Sequence, residues 1–464
     1  MRRLWRVGAL VAGALFVLPV AASGHPAPGG QLVPNWLTRP PDQVQAKYKP
    51  GPAKPSRGVE VIAHHNPGGF NADVVEHDGF AYLGSWGTPS DDDSLCPAQG
   101  VRVYDLDRLS RPRIVSTFAD GVSNPMLEAS WTEKIQVRRV HTRSFKGDLA
   151  AVSLQPCEAG GIGGIALYDV TNPRHPRELA VFENGIQGVH ELWLQVRGKR
   201  AYVYQATIFE EIFQFFGGLE PGNPDFRVID VSDPRNPKQV GQWGAWEELD
   251  IVPTAANGSF PFNFVHSMIG NKDGDRVYLS YWDLGTVILD MEDPTDPRFI
   301  SRTTFRADQE GNAHSSWLAD RERILIENQE DSDPTMTPGI ENGYGYTRIF
   351  DISKESRPRL LTEFRMPSQP APPGPGDFTA HDPKVRGDTL YMSHYAEGVV
   401  VLDIDRPSKP RRVAQFVPPP TGDPFGFWFD GVPAPHVWGV WVEKDHVLAS
   451  DINSGLWVFR TRGR

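Results

Sequence analysis

Between residues 101 and 416 one arrangement of apolar and polar positions recurs six times. An apolar run ends at an aspartate, turn residues follow, and seven positions after the aspartate stands a proline with Arg or Lys behind it. The copies are VRVYDLDRLSRPRIVSTF (101–118), IALYDVTNPRHPRELAVF (165–182), FRVIDVSDPRNPKQVGQW (226–243), TVILDMEDPTDPRFISRTTF (286–305), TRIFDISKESRPRLLTEF (347–364) and VVVLDIDRPSKPRRVAQF (399–416). Their fixed pairs are Asp105/Pro112, Asp169/Pro176, Asp230/Pro237, Asp290/Pro297, Asp351/Pro358 and Asp403/Pro410. A final GLWVFRTRGR starts the pattern again, with Arg460 at the aspartate position. Each copy predicts a β-hairpin. The aspartate side chain can accept from backbone amides of its turn, and the proline fixes φ where the next strand begins.

Upstream of each hairpin lies a second strand pair, such as VHELWLQVRGKRAYVYQ (189–205) and VHSMIGNKDGDRVYLSYW (265–282). Four antiparallel strands in a unit of about 50–65 residues describe a β-propeller blade. The C-terminal unit offers only three strands, HVWGVWVEK, HVLASD and GLWVFR, whereas GVEVIAHHN (58–66) has no hairpin partner. That segment therefore supplies the missing outer strand and joins the two ends of the ring, leaving no free edge. The expected fold is all-β: a seven-bladed β-propeller of four-stranded antiparallel blades, closed by an N-terminal strand in the last blade.

Residues 1–24 combine a basic start, an apolar run and a small-residue end, which reads as a signal peptide. The Arg2-Arg3 pair hints at twin-arginine export, but the residues after it match that signal poorly and an ordinary basic start is the preferred reading. Residues 25–57 form a Pro-rich extension and 58–464 the propeller. The protein is therefore expected to be secreted or periplasmic and monomeric, with no membrane span after cleavage. A net charge of −11, with no basic stripe, excludes a nucleic-acid partner. The two cysteines, Cys96 and Cys157, fall in corresponding loops of adjacent blades, and in an oxidising compartment they most simply pair.

The candidate chemistry lies in a recurring histidine: RVHTRSF (His141), GVHELWL (His190), FVHSMIG (His266), NAHSSWL (His314), TAHDPKV (His381) and APHVWGV (His436). With blade strands labelled A to D from the axis outward, all six are placed where the D–A loop enters strand A. They would ring one mouth of the central channel. His64 and His65 in HHNPGG reach the same face, and Asp73 stands in the first blade where the others carry histidine. Glu191 and His394 are candidates for further ligands or for supporting contacts, although Glu191 also reads as an exposed loop-edge carboxylate. His175 and His446 are expected to be solvated. Long segments, 205–225 among them, collect on this same face, where loops usually carry function.

Two readings of the ring stand side by side. Neutral imidazoles could bond neighbouring backbone as core groups, or they could hold a transition metal, which imidazole ligates most often. Convergence favours the metal, with copper ahead of zinc because no soft ligand adjoins the ring. No Gly-rich nucleotide loop, HExxH helix or GxSxG elbow accompanies it, so no catalytic residue can be named.

The hairpins YDVTNPRHP, IDVSDPRNP and LDIDRPSKP resemble the LVIVD-repeat family of secreted β-propellers, over roughly residues 58–460. The resemblance implies the fold and no particular activity. At the level of architecture alone, the ring is similar to the axial histidines that bind copper in nitrous oxide reductase and in the selenium-binding protein/methanethiol oxidase family. That likeness implies a copper-dependent oxidoreductase acting on a small molecule. The competing expectation is a non-catalytic extracytoplasmic propeller that binds a protein, glycan or small molecule on its loop face.

Overall fold

A computed structural model describes residues 57–87, 100–158, 160–185, 188–258, 260–332, 339–341, 343–369, 376–421 and 433–462. Seven antiparallel sheets follow one another along the chain. Blade 1 comprises β2 (Phe70–His77), β3 (Phe80–Gly87), β4 (Val101–Asp105) and β5 (Arg113–Phe118). Blade 2 comprises β7 (Ile135–His141), β8 (Lys146–Pro156), β9 (Gly164–Asp169) and β10 (Arg177–Glu183), and the short β6 (Ser130–Trp131) pairs with the far end of β8. Blades 3, 4, 5 and 6 begin at β11 (Glu191–Arg197), β15 (Val265–Gly270), β19 (Ala313–Ala319) and β23 (Pro383–Arg386). The last blade runs β27 (Val437–Val442), β28 (Val447–Asp451), β29 (Gly455–Thr461) and then β1 (Val59–His65) from the other end of the chain. The ring therefore closes as its sequence predicts, with β1 antiparallel to β29 from Val59↔Thr461 to His65↔Leu456.

The recurring aspartate builds its hairpin in every copy. One carboxylate oxygen of Asp105, Asp169, Asp230, Asp290, Asp351 and Asp403 accepts the backbone N–H two residues on, at 2.7–3.0 Å. In three copies the other oxygen reaches the Arg that follows the proline: Arg177 to Asp169, Arg359 to Asp351 and Arg411 to Asp403, at 2.5–2.8 Å. There one residue shapes the turn and ties the outer strand back to its neighbour, whereas Asp105, Asp230 and Asp290 pair with Arg174, Arg200 and Arg276. Between blades, apolar faces close the core. Tyr204, Val228 and Phe226 of blade 3, for example, meet Val277, Leu279 and Val287 of blade 4.

His446 is not solvated. It is buried between the last blade and the first, with Nε2 2.7 Å from Glu76 and Nδ1 2.9 Å from Asp445. Burial opposes its charge, but the two carboxylates outweigh it and hold the imidazole above its ordinary value. His175 is exposed in its turn, as expected. Cys157 is buried at the end of β8, and the proposed partner Cys96 lies outside the described residues.

Candidate metal centre

The axial site is made by a bulge repeated at the entrance of strand A. In blade 4 the pairing steps from Val265↔Tyr281 to Ser267↔Ser280, so His266 is the extra residue. In blade 5 it steps from Ala313↔Gln329 to Ser315↔Asn328 and leaves out His314. In the last blade Val437↔Asp451 gives way to Gly439↔Ser450, which leaves out Trp438. Blades 3 and 6 do the same with hydrogen bonds: His190 and Glu191 both oppose Ala206, and His381 and Asp382 both oppose Ser393. A bulge sets two residues against one and re-aims the extra side chain. Counted back from each hairpin, the same position holds Ala72, Glu133, His190, His266, His314, His381 and Trp438 around the ring.

Four of the six predicted histidines therefore meet as a row. His190 Nε2 lies 3.1 Å from His266 Nε2. The ring of His266 is 4.0 Å from that of His314, His314 is 4.2 Å from His381, and His381 is 3.9 Å from Trp438. The row is sealed: His266 is 0% and His381 3% exposed.

The other candidates sit elsewhere, for physical reasons. His141 ends β7 instead of starting it, so it is exposed at the A–B turn on the opposite face. The apolar run IQVRRV before it is already strand A, and Glu133 takes the ring position. His436 is two residues short of the ring, because the bulge in that blade carries Trp438. Its backbone N–H donates to Asp451 Oδ2 at 2.7 Å and its Nδ1 stands 3.3 Å from Asn453. His64 and His65 belong to β1, the outermost strand of its blade. His64 stacks on Trp457 and bonds the Ser454 carbonyl at 2.6 Å, and His65 meets the Tyr104 hydroxyl at 3.0 Å. His394 is buried beside Glu397, within the B–C turn of blade 6.

Carboxylates complete the centre. Glu133 Oε2 is 2.8 Å from His190 Nδ1, which also faces Gln155 Oε1 at 3.1 Å. Glu330, a residue sequence reasoning passed over, stands at the end of β20 (Ile324–Gln329) with Oε2 3.5 Å from His314 Nε2, and the Tyr395 hydroxyl donates to its Oε1 at 2.5 Å. Burial pushes the Glu330 carboxyl well above its ordinary value. Burial, helped by the neighbouring imidazoles, pushes His266 well below its own. His381 is pushed down to about 3, again chiefly by burial. Its Nδ1 must donate to the Trp438 carbonyl at 2.8 Å, which leaves Nε2 as a lone pair with no hydrogen-bond partner among the described residues. Ligand atoms of His266, His314 and Glu330 all lie within 4.8 Å of one another.

One residue further along each strand, a second tier is charged. Lys134, its side chain 11% exposed, spans Asp73 at 3.0 Å and Glu191 at 3.1 Å. Burial works against the ammonium, yet these two carboxylates hold it well above its usual value. Glu191 is thus a buried group, pushed up to about 7 by burial against the pull of Lys134. Gly439 makes room for the tier, since a Cβ there would stand 2.6 Å from Asp73 Oδ1. The cavity beside this tier has a volume of ≈ 20 Å³, enough for an ion or a water by the criterion of about 10–15 Å³ per water.

His436 gives a test of acid stability. Burial holds its folded pKa at about 4, below the ordinary histidine value of about 6.5. Between those values the unfolded chain binds the proton and the folded chain does not. Stability is therefore full above about pH 6.5 and falls as the pH drops towards 4, by about 1.4 kcal/mol per pH unit for one such group. In urea unfolding from pH 7 to 4 this group adds that slope to those of the other buried groups, and His436→Gln is expected to remove that amount. Parallel curves for the two proteins would contradict the assignment.

No family model matches the chain, and no curated protein matches it. Among solved structures it is similar to the computationally designed Ika8 protein, at 8% identity and a TM-score of 0.48, covering 86% of this chain and 99% of that one. A likeness at that level carries no argument about function.

Proposed function

We propose that the protein is an extracytoplasmic metalloprotein whose axial histidine row holds a transition metal. The observation that supports this most is the pairing of sealed imidazoles with a buried carboxylate. His266, His314 and Glu330 present ligand atoms within 4.8 Å, and His381 offers a lone pair already fixed by its backbone bond. Fixing the far nitrogen on a carbonyl or carboxylate is how metal-binding histidines are usually held, and His190 has the same support from Glu133. The 3.1 Å between the Nε2 atoms of His190 and His266 also suits two ligands of one ion. Nitrogens about 2.0–2.1 Å from a metal and about 90–110° apart stand roughly 2.9–3.4 Å from each other. A cation would let Glu330 ionise where burial otherwise keeps its proton.

Copper remains ahead of zinc for a row of four imidazoles, although the oxygen donor of Glu330 adds to the case for zinc or iron. A redox role on a small molecule follows from copper, and the metal would supply the electron-accepting centre. The chain's own residues would orient the ligands, exclude water and, through Tyr395 and Glu330, hold a proton at the edge of the row. Kinship with the LVIVD-repeat proteins belongs to the same proposal and rests on the hairpin motifs.

Elemental analysis tests the reading. Protein purified after export is expected to carry close to one equivalent of metal per chain, and His266→Ala/His314→Ala to lose it at least tenfold while His141→Ala keeps it. Metal-free wild type that will not take up Cu(II), Zn(II) or Fe(II) on titration would show that the row is packing alone.

A further inference from the structure

The channel widens on the side away from the long loops. Past the Lys134 tier the inner strands present Gln136, Trp193 and Trp317, and one step further Arg138 and Gln195. These side chains open into a groove of ≈ 790 Å³ at the A–B turns of blades 3 to 6. Small-molecule sites generally measure about 300–1,000 Å³. The wall is rigid. Trp193 donates to Gln195 Oε1 at 2.9 Å and meets Trp317 edge to face at 6.0 Å. Blade 4 has Gly270 against them, where a Cβ would stand 2.8 Å from Trp193 Nε1.

Arg138 is the unusual member of this wall. Its guanidinium lies over the Trp193 ring at 5.1 Å, and among the described residues its one side-chain bond is a long one, 3.4 Å to Gln136 Oε1. Among the described residues no carboxylate stands within ion-pair distance of it. Its neighbours in the channel are all engaged: Lys134 by Asp73 and Glu191, Lys384 by Asp382, and Arg139 on the outer side by Asp148 and Asp78. Burial lowers the Arg138 pKa with no neighbouring charge to offset it. A part-buried guanidinium that stacks on an indole and faces an open cavity is arranged to accept an anion in its fork.

We propose that this groove binds a small organic monocarboxylate, with its carboxylate on Arg138 and its apolar body along Trp193 and Trp317. The charge of the rim argues for a single negative charge. Lys272 and Arg321 are matched there by Asp320, Glu322 and Asp388, so no positive field awaits a polyanion. The site needs no metal.

Calorimetric titration of chelator-treated protein with benzoate separates this inference from the metal reading. Benzoate is expected to bind saturably in the millimolar range or tighter. The uncharged isostere benzamide is expected to bind at least tenfold more weakly, and inorganic phosphate not to compete. Arg138→Gln should weaken benzoate at least tenfold, whereas Arg139→Gln, one residue away on the outer side, should leave it unchanged. If Arg138→Gln proves unstable, Arg138→Lys keeps the charge without the fork and should still lose several-fold. Unsaturable benzoate binding to wild type, equal binding to the Arg138 variants, or displacement by phosphate would each overturn the proposal.

Discussion

A chain starting at Asn66 is expected to lose about 3–6 kcal/mol of stability and to associate through the uncovered side of β29. The removed strand, β1, pairs with β29 through six registered positions, and a ladder hydrogen bond contributes about 1 kcal/mol net. Against a total of about 5–15 kcal/mol for a typical domain the loss is large. The uncovered strand also carries Trp457, Val458 and Phe459, all buried in the closed ring, and an unpaired apolar edge recruits other chains. Thermal unfolding with light scattering measures both effects. An unchanged melting temperature with no scattering would mean that the ring does not depend on this strand.

Glu327→Ala is expected to cost about 3–5 kcal/mol, because it strands a buried charge. Glu327 and Arg348 are both fully buried between blades 4 and 5, with Oε1 3.4 Å from Nη1. The other carboxylate oxygen accepts from the Thr286 N–H at 3.0 Å, the Thr286 hydroxyl at 2.8 Å and the Thr303 hydroxyl at 2.6 Å. Arg348 in turn donates to the Glu310 carbonyl at 2.7 Å and lies over Phe305 at 4.7 Å. Removing the carboxylate leaves a cation and two hydroxyls without their acceptor. Replacing both partners, Glu327→Met/Arg348→Met, should cost far less than the single change, since an apolar pair has no unpaired charge. Denaturant midpoints decide it, and a Glu327→Ala loss below about 1 kcal/mol would refute the argument. The same strand leads to Glu330, so the single variant should also bind metal less tightly.

The blades were legible because their hairpins announce themselves: aspartate, turn, proline and arginine each have a local structural job, visible without any tertiary contact. The axial site was only half legible. His190, His266, His314 and His381 stand at strand entrances that follow recognisable loops, so counting from the hairpins places them. His141 misled because IQVRRV already alternates as a strand, and only pairing with β8 reveals that the histidine ends it. His436 misled because the bulged position of its blade lies two residues further on and carries Trp438, and bulges leave no fixed residue signature. Glu330 and Lys134 were invisible for another reason. Each lies in a segment with no repeated motif, and its role depends on residues from other blades.

The order in which parts of the ring become available also follows from where β1 lies. The last blade is assembled from residues 59–65 and 437–461, so its sheet cannot form until almost the whole chain is present. The histidine row draws on four consecutive middle blades, between residues 190 and 381. Joining distant segments is slow, while neighbouring hairpins meet early. A newly made chain is thus expected to pass through a stage in which the row has been brought together but the circle still stands open. In that interval the proposed metal would reach the imidazoles from the side, through a gap that ring closure removes.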